Sequence, residues 1–127
     1  MPLTAQEYFG TGSVGLDTFE RVRAALRSAH PDVTVRVTKS QVAFRRRRGF
    51  AYLWIPGQYL RRPAAPVVLS IATRRRLRSE RFKEVVHPGP WMHHLEVFDA
   101  ADVDDDVIGW LSMAADEAGP PAGSGRG

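Results

Sequence analysis

Apolar and polar residues alternate with a period of two along four parts of the chain, which is the pattern of half-buried β-strands. The most informative part is QVAFRRRRGFAYLWIP, residues 41–56, in which two apolar runs flank four consecutive arginines and Gly49. This pattern predicts two antiparallel strands joined by an arginine-rich hairpin turn, with Gly49 supplying a positive φ. Three further strands are predicted at residues 33–37, 67–72 and 91–98.

Apolar residues recur at helical spacing before the first of these strands and after the last. Ser13 is positioned to cap the first main helix, and Thr4 is positioned to cap a shorter helix before it. Three aspartates at residues 104–106 suit the positive end of the last helix dipole, and Gly119 is expected to end that helix. Residues 79–86, SERFKEVV, are predicted to form only a short turn.

The order of these elements predicts an α+β fold, with a mostly antiparallel sheet of about five strands and an N-terminal and a C-terminal helix packed on one face. The chain shows no internal repeat and no domain boundary. Residues 1–118 are therefore predicted to form a single domain, followed by a disordered Pro/Gly-rich tail at residues 119–127. One common core is expected to contain Leu16, Phe19, Val35, Val37, Phe44, Leu69, Leu95, Val97 and Leu111.

Composition excludes several classes of chemistry. The 127 residues include no cysteine, which excludes disulfides, thiolate chemistry and cysteine-ligated zinc. No apolar stretch approaches the roughly 20 residues of a membrane-spanning helix, and the first residues lack the layout of a secretory signal. We therefore expect a cytoplasmic protein without membrane association and without a cofactor. The sequence does not indicate an oligomeric state.

The net charge of +4 conceals a strong polarisation along the chain. Residues 36–84 hold 14 Lys and Arg against 2 Asp and Glu, a net charge of +12, whereas residues 85–127 carry −7. A basic middle favours an anionic partner, with nucleic acid as the leading case. Two explanations need no ligand: the regions neutralise each other in the fold, or a GC-rich genome has favoured arginine, which occurs 16 times against two lysines.

The arginines concentrate in two clusters at predicted strand ends, which antiparallel pairing can bring to the same edge of a sheet. Nearby aromatic residues suggest binding by phosphate pairing and base stacking, although these aromatics also suit a buried core. The candidate ligand contacts are Arg45, Arg46, Arg47, Arg48, Arg74, Arg75, Arg76 and Arg78.

The histidines suggest an alternative, enzymatic function. His93 and His94 are adjacent on a predicted strand and therefore face opposite ways, so they do not readily share a metal, and no metal site is predicted. His93 is expected to be semi-buried and hydrogen-bonded. His94 shares a face with Glu96, and such a pair can orient an imidazole as a general base. With His87 as another candidate, these residues give the hypothesis of a metal-independent phosphodiesterase or ribonuclease-like enzyme.

The chain resembles the small bacterial and archaeal domain-of-unknown-function family 5655. The resemblance rests on an N-terminal helix, a strand leading into QVAFRRRRGFAYL, a later WMHHLEV, and a final DVDDDVIGWLSMAA, and it covers roughly residues 5–118. It implies a fold and no established activity, and it supplies no catalytic residue. The leading hypothesis is a non-enzymatic binding module for an anionic ligand, and a third hypothesis is a protein-interaction module.

Overall fold

The computed structural model describes residues 3–56, 65–86 and 90–120. Three α-helices and six β-strands form an α+β fold, as predicted. The helices are α1 (Ala5–Phe9), α2 (Val14–Ala29) and α3 (Asp105–Ala118), with a 3-10 helix at Ala100–Asp102 before α3. The strands are β1 (Thr34–Val37), β2 (Val42–Arg45), β3 (Gly49–Trp54), β4 (Val67–Thr73), β5 (Phe82–Val86) and β6 (Trp91–Val97).

The strands form one sheet in the order β1-β2-β3-β4-β6-β5, and every neighbouring pair is antiparallel. This sheet contains one strand more than predicted, because residues 82–86 form β5 at its edge instead of a turn. A register shift between Phe82 and Glu84 breaks the period-two pattern that identifies a strand. Phe82 also fixes β5 on the core, with its ring centroid 4.7 Å from that of Trp110 on α3.

The helices pack on one face of the sheet and enclose a single core. Of the nine predicted core residues, six are buried, which confirms the prediction for Phe19, Phe44, Leu69, Leu95, Val97 and Leu111. The other three, Leu16, Val35 and Val37, are only half-buried and pack against this core. The face opposite the helices, here called the distal face, carries the alternate residues. Its central row runs across five strands from Arg36 through Ala43, Tyr52 and Ser70 to His94.

The helix boundaries follow the predicted caps. The Ser13 hydroxyl accepts a hydrogen bond from the Leu16 N–H at 3.0 Å, and the Asp104 carboxylate accepts one from the Val107 N–H at 3.2 Å. Gly119 ends α3 with a φ of 74°, which glycine adopts without a steric penalty. Of the tail predicted at residues 119–127, residues 121–127 lie outside the described residues.

The turn between β2 and β3 differs from its prediction. A register shift between Phe44 and Arg45 widens the hairpin, and Gly49 does not have a positive φ. Glycine is needed there for space, since a Cβ added to Gly49 would lie 2.5 Å from the Tyr52 hydroxyl. The Tyr52 side chain therefore runs back along β3 toward the arginines of the turn.

Candidate functional site

The two arginine clusters lie at the same end of the sheet. Ala51 on β3 pairs with Ile71 on β4, so the turn before β3 and the segment after β4 are neighbours. The C-terminus of α3 joins them: the Arg47 N–H donates to the Gly119 carbonyl at 3.0 Å, and the Arg74 N–H donates to the Glu117 carboxylate at 2.7 Å. Residues 45–48 and 74–78 are here called the arginine end of the sheet.

Arg46 belongs to the fold, although it was predicted as a ligand contact. Its side chain is only 12% exposed. Its Nε and Nη2 donate to the two Asp32 oxygens at 2.8 and 3.1 Å, and its Nη1 donates to the Ala115 carbonyl at 2.8 Å. The hydrogen bonds from Arg46 hold the pKa of the Asp32 carboxyl below its usual value. Arg48 is exposed but also donates to a carbonyl of α3, that of Glu117, at 3.2 Å.

These contacts have an electrostatic reason. The last carbonyl groups of a helix lack intrahelical partners and carry the negative end of its dipole. Arg46 and Arg48 satisfy two of these carbonyls at the end of α3, and both are thereby oriented toward the protein.

The other candidate arginines point less into the fold. Arg45 is half-buried, and the remaining five are exposed. Within residues 3–56, 65–86 and 90–120, no carboxylate forms a salt bridge with any of these six side chains. The Arg76 guanidinium lies 5.5 Å from the ring centroid of Trp91, within the range of a cation–π contact. The six are Arg45, Arg47, Arg74, Arg75, Arg76 and Arg78.

The acidic residues that precede α3 lie far from the arginine end. The Asp104 carboxylate accepts two hydrogen bonds from Arg81, at 3.0 and 2.9 Å, and these bonds lower the pKa of Asp104. α3 contains 14 residues, and at 1.5 Å per residue its two ends are about 20 Å apart. The acids at the N-terminus of α3 therefore do not neutralise the arginines beside its C-terminus, since about 20 Å exceeds the screening length at physiological salt.

His93 anchors the segment that carries the second arginine cluster. It is fully buried on the helix side of β6. Its Nε2 accepts a hydrogen bond from the Leu77 N–H at 2.9 Å, so the proton of the neutral ring is on Nδ1, which donates to the Ile71 carbonyl at 3.0 Å. Burial lowers the pKa of His93. His93 was predicted to be semi-buried and hydrogen-bonded, and it is hydrogen-bonded but fully buried. Its bond to residue 77 has no sequence pattern.

His94 lies on the distal face and contacts Ser70 in the neighbouring strand. The His94 Nδ1 is 2.6 Å from the Ser70 hydroxyl, which also accepts a hydrogen bond from the Trp54 Nε1–H at 2.9 Å. Glu96 shares the face of His94, but its ion-pair partner among the described residues is Lys83, at 3.8 Å. The third catalytic candidate, His87, lies outside the described residues.

A cavity of about 270 Å³ opens above Ser70 on the distal face. It forms because β4 presents the small residue Ser70 between the larger side chains of Tyr52 on β3 and His94 on β6. This cavity was not predicted, although its signal in the sequence is a tyrosine and a tryptophan two residues apart on one strand and a serine on the next. The described residues that line it are Gln41, Tyr52, Trp54, Ser70, Met92 and His94.

The described part of the chain contains neither a cluster of metal ligands nor a membrane-spanning helix. No three histidine, aspartate or glutamate side chains in residues 3–56, 65–86 and 90–120 come close enough to hold a metal ion. Over the same residues, no helix has the length and apolar character needed to cross a membrane.

The fold and these surfaces define a small α+β domain with an arginine-rich sheet end and a cavity on its distal face. The chain belongs to the family described as Domain of unknown function (DUF5655), whose model matches residues 5–117. This match confirms the resemblance found in the sequence. Comparisons with curated proteins and with solved structures found no significant match.

Proposed function

We propose that this domain binds a polyanion, with nucleic acid as the leading case, at the arginine end of the sheet. The observation that carries the proposal is the meeting of two arginine clusters at one end while the aspartates that begin α3 lie about 20 Å away. Asp32 pairs with Arg46, and the Glu117 carboxylate lies beside Arg74, but the eight arginines outnumber these two acids, and the net positive field that remains attracts anions.

The arginines of this end have two roles in the proposal. Arg46 and Arg48 satisfy the carbonyls at the end of α3 and offset its dipole. Arg47, Arg74 and Arg75 are exposed and contact phosphates, as do Arg76 and Arg78. Guanidinium groups suit phosphate because their planar forks donate two parallel hydrogen bonds. Such contacts position a strand without reading its sequence, so we expect little dependence on base sequence.

The geometry gives less support to the enzymatic alternative. Glu96, the carboxylate predicted to orient His94 as a general base, has Lys83 as its ion-pair partner among the described residues, at 3.8 Å. Ser70, the partner of His94, is 3% exposed and already bonds Trp54. An interaction module is also less favoured, because Met113 is the single large apolar side chain on α3 that is exposed.

The test measures binding of a labelled single-stranded oligonucleotide by fluorescence anisotropy across a salt series. The variant Arg47→Glu/Arg75→Glu reverses two exposed arginines, one in each cluster. The control Lys39→Glu/Lys83→Glu reverses two exposed lysines away from the arginine end, and both variants have a formal net charge of zero instead of +4. Arg46 is left intact because its loss would perturb the fold.

We expect the wild-type protein to bind with an affinity that falls steeply with salt. Each lost phosphate contact should reduce the slope of log affinity against log salt by about 0.7 on a single strand, so the arginine variant should lose about 1.4. The control should keep the wild-type slope. The proposal is rejected if the wild type does not bind at low salt, or if both variants lose affinity equally.

A further inference from the structure

The cavity above Ser70 lies in the central part of the distal face and is built largely from ring systems. Tyr52 and Trp54 flank it on β3, and His94 flanks it on β6, all three half-buried. Ser70 is 3% exposed and forms the floor. Since Tyr52, Ser70 and His94 are cross-strand neighbours, the opening spans two strand spacings, or about 10 Å.

Hydrogen bonds hold the rings in fixed orientations. Trp54 donates to the Ser70 hydroxyl, and that hydroxyl is joined to His94, so one buried oxygen connects both rings. The two ring planes stand at 89° with centroids 6.0 Å apart. Tyr52 is directed along β3 because its hydroxyl occupies the space beside Gly49. A site whose side chains are already fixed loses little conformational entropy on binding.

The size and chemistry of the cavity restrict its occupant. About 270 Å³ is slightly less than the smallest pockets that enclose drug-sized ligands, so it suits one flat ring system. The lining combines aromatic faces with the Gln41 amide, the Met92 thioether and an imidazole. Aromatic rings beside a cationic groove are the arrangement by which proteins stack the bases of a single strand.

The positions of Arg36 and of the arginine-rich turn relate the cavity to the proposed phosphate site. Arg36 is exposed in the same cross-strand row as Tyr52, separated from it by the small residue Ala43. The Tyr52 hydroxyl reaches Gly49, the residue that directly follows the arginines of the turn. The second cluster is held on the helix side through the bond from Leu77 to His93, so the turn is the part of the arginine end from which a bound strand can continue onto the distal face and reach the cavity.

We propose that the cavity receives one unstacked base of a single-stranded nucleic acid whose phosphates contact the arginine end. This inference rests on the proposed function and adds a strand preference to it. A base held in a duplex is paired and stacked and does not enter the cavity. The Ser70 hydroxyl has a positioning role here, because it fixes Trp54 and His94 and is itself buried.

The experiment compares three labelled probes of about 12 nucleotides, within the usual site sizes of single-strand binders. They are a single strand, the corresponding duplex, and an abasic strand that has the phosphates without bases. Each is titrated against the wild type, Trp54→Leu, Tyr52→Leu and the control Phe98→Leu, whose side chain is 54% exposed and lies outside the cavity. Circular dichroism verifies that each variant folds, and Tyr52→Leu provides the test if Trp54→Leu does not fold.

We expect the wild type to bind the single strand between about 5-fold and about 150-fold more tightly than the abasic strand, the range for one stacked base. Trp54→Leu and Tyr52→Leu should reduce this ratio toward one and leave the affinity for the abasic strand unchanged, and Phe98→Leu should change neither. Equal affinity of the wild type for the single and abasic strands would overturn the inference and leave the proposed function intact. Absence of binding to all three probes at low salt would reject both.

Discussion

Replacing His93 with leucine removes both hydrogen bonds that connect its imidazole to the backbone at Ile71 and Leu77. The Leu77 N–H would then be left without its acceptor beside a buried side chain, at a cost of about 1–3 kcal/mol. Loss of the bond to the Ile71 carbonyl adds about 0.5–1.5 kcal/mol. We therefore expect the free energy of unfolding to fall by about 2–4 kcal/mol at neutral pH.

The same contacts make the difference in unfolding free energy between the wild type and His93→Leu depend on pH. Burial places the pKa of His93 in the folded state below the ordinary value of 6.5. Above pH 6.5 the imidazole is neutral in both states, and its contribution to stability is complete. As the pH falls from 6.5 toward the folded pKa, the unfolded state binds the proton first, and stability is lost at up to about 1.4 kcal/mol per pH unit. The leucine variant lacks this loss, so its deficit should shrink on acidification.

Urea denaturation of the wild type and the variant, followed by circular dichroism at several pH values between about 5 and 8, measures the difference. Hydrogen exchange of the Leu77 amide supplies a local readout, because its protection depends on the His93 acceptor. A deficit that stays constant over this pH range, or a Leu77 amide equally protected in both proteins, would show that the assigned bonds do not stabilise the domain.

Two further predictions concern the core and its contact with α3. Arg46→Ala should lower the free energy of unfolding by about 2–3 kcal/mol, because a half-buried network of charged hydrogen bonds is lost. Arg48→Ala, at an exposed position, should lower it by less than about 1 kcal/mol. Equal effects of the two variants in urea denaturation would contradict the assignment of Arg46 to the fold. Leu111 is fully buried, so Leu111→Ala should cost roughly 2–5 kcal/mol, and a change below about 1 kcal/mol would place it outside the core.

The sequence pattern predicted the elements whose side chains alternate or recur regularly. The strand containing Val67, Leu69 and Ile71 was recognised because its period is unbroken. β5 was missed because the register shift after Phe82 puts two residues opposite one, which removes the alternation. The role of Gly49 was also misassigned, because the residues around a glycine do not show that a side chain such as that of Tyr52 will approach it closely.

The candidate site was predictable only in its composition. The arginines are obvious in the sequence, but their division into internal and exposed groups depends on the carbonyls of α3, which have no sequence pattern. Arg46 and Arg47 are adjacent and chemically identical, yet one binds Asp32 and the other has an exposed side chain. The cavity depends on the register that places Tyr52 and His94 on either side of Ser70, and a register cannot be derived from single strands.

Both arginine segments are anchored to the fold, and this helps to decide whether the arginines serve binding or only reflect a GC-rich genome. The turn before β3 is fixed through Arg46 to Asp32 and α3, and the segment after β4 is fixed through Leu77 to His93. Arginines accumulated by genomic bias need no common location and no fixed backbone. Here two segments separated along the chain are held by buried groups at one end of the sheet, so their backbone loses less conformational entropy when the exposed arginines bind phosphate. Loosening one anchor should therefore weaken polyanion binding even when no exposed arginine is changed. If the His93→Leu protein folds and keeps wild-type affinity for the oligonucleotide, the anchoring does not contribute to binding, and genomic bias becomes the favoured explanation of the arginines.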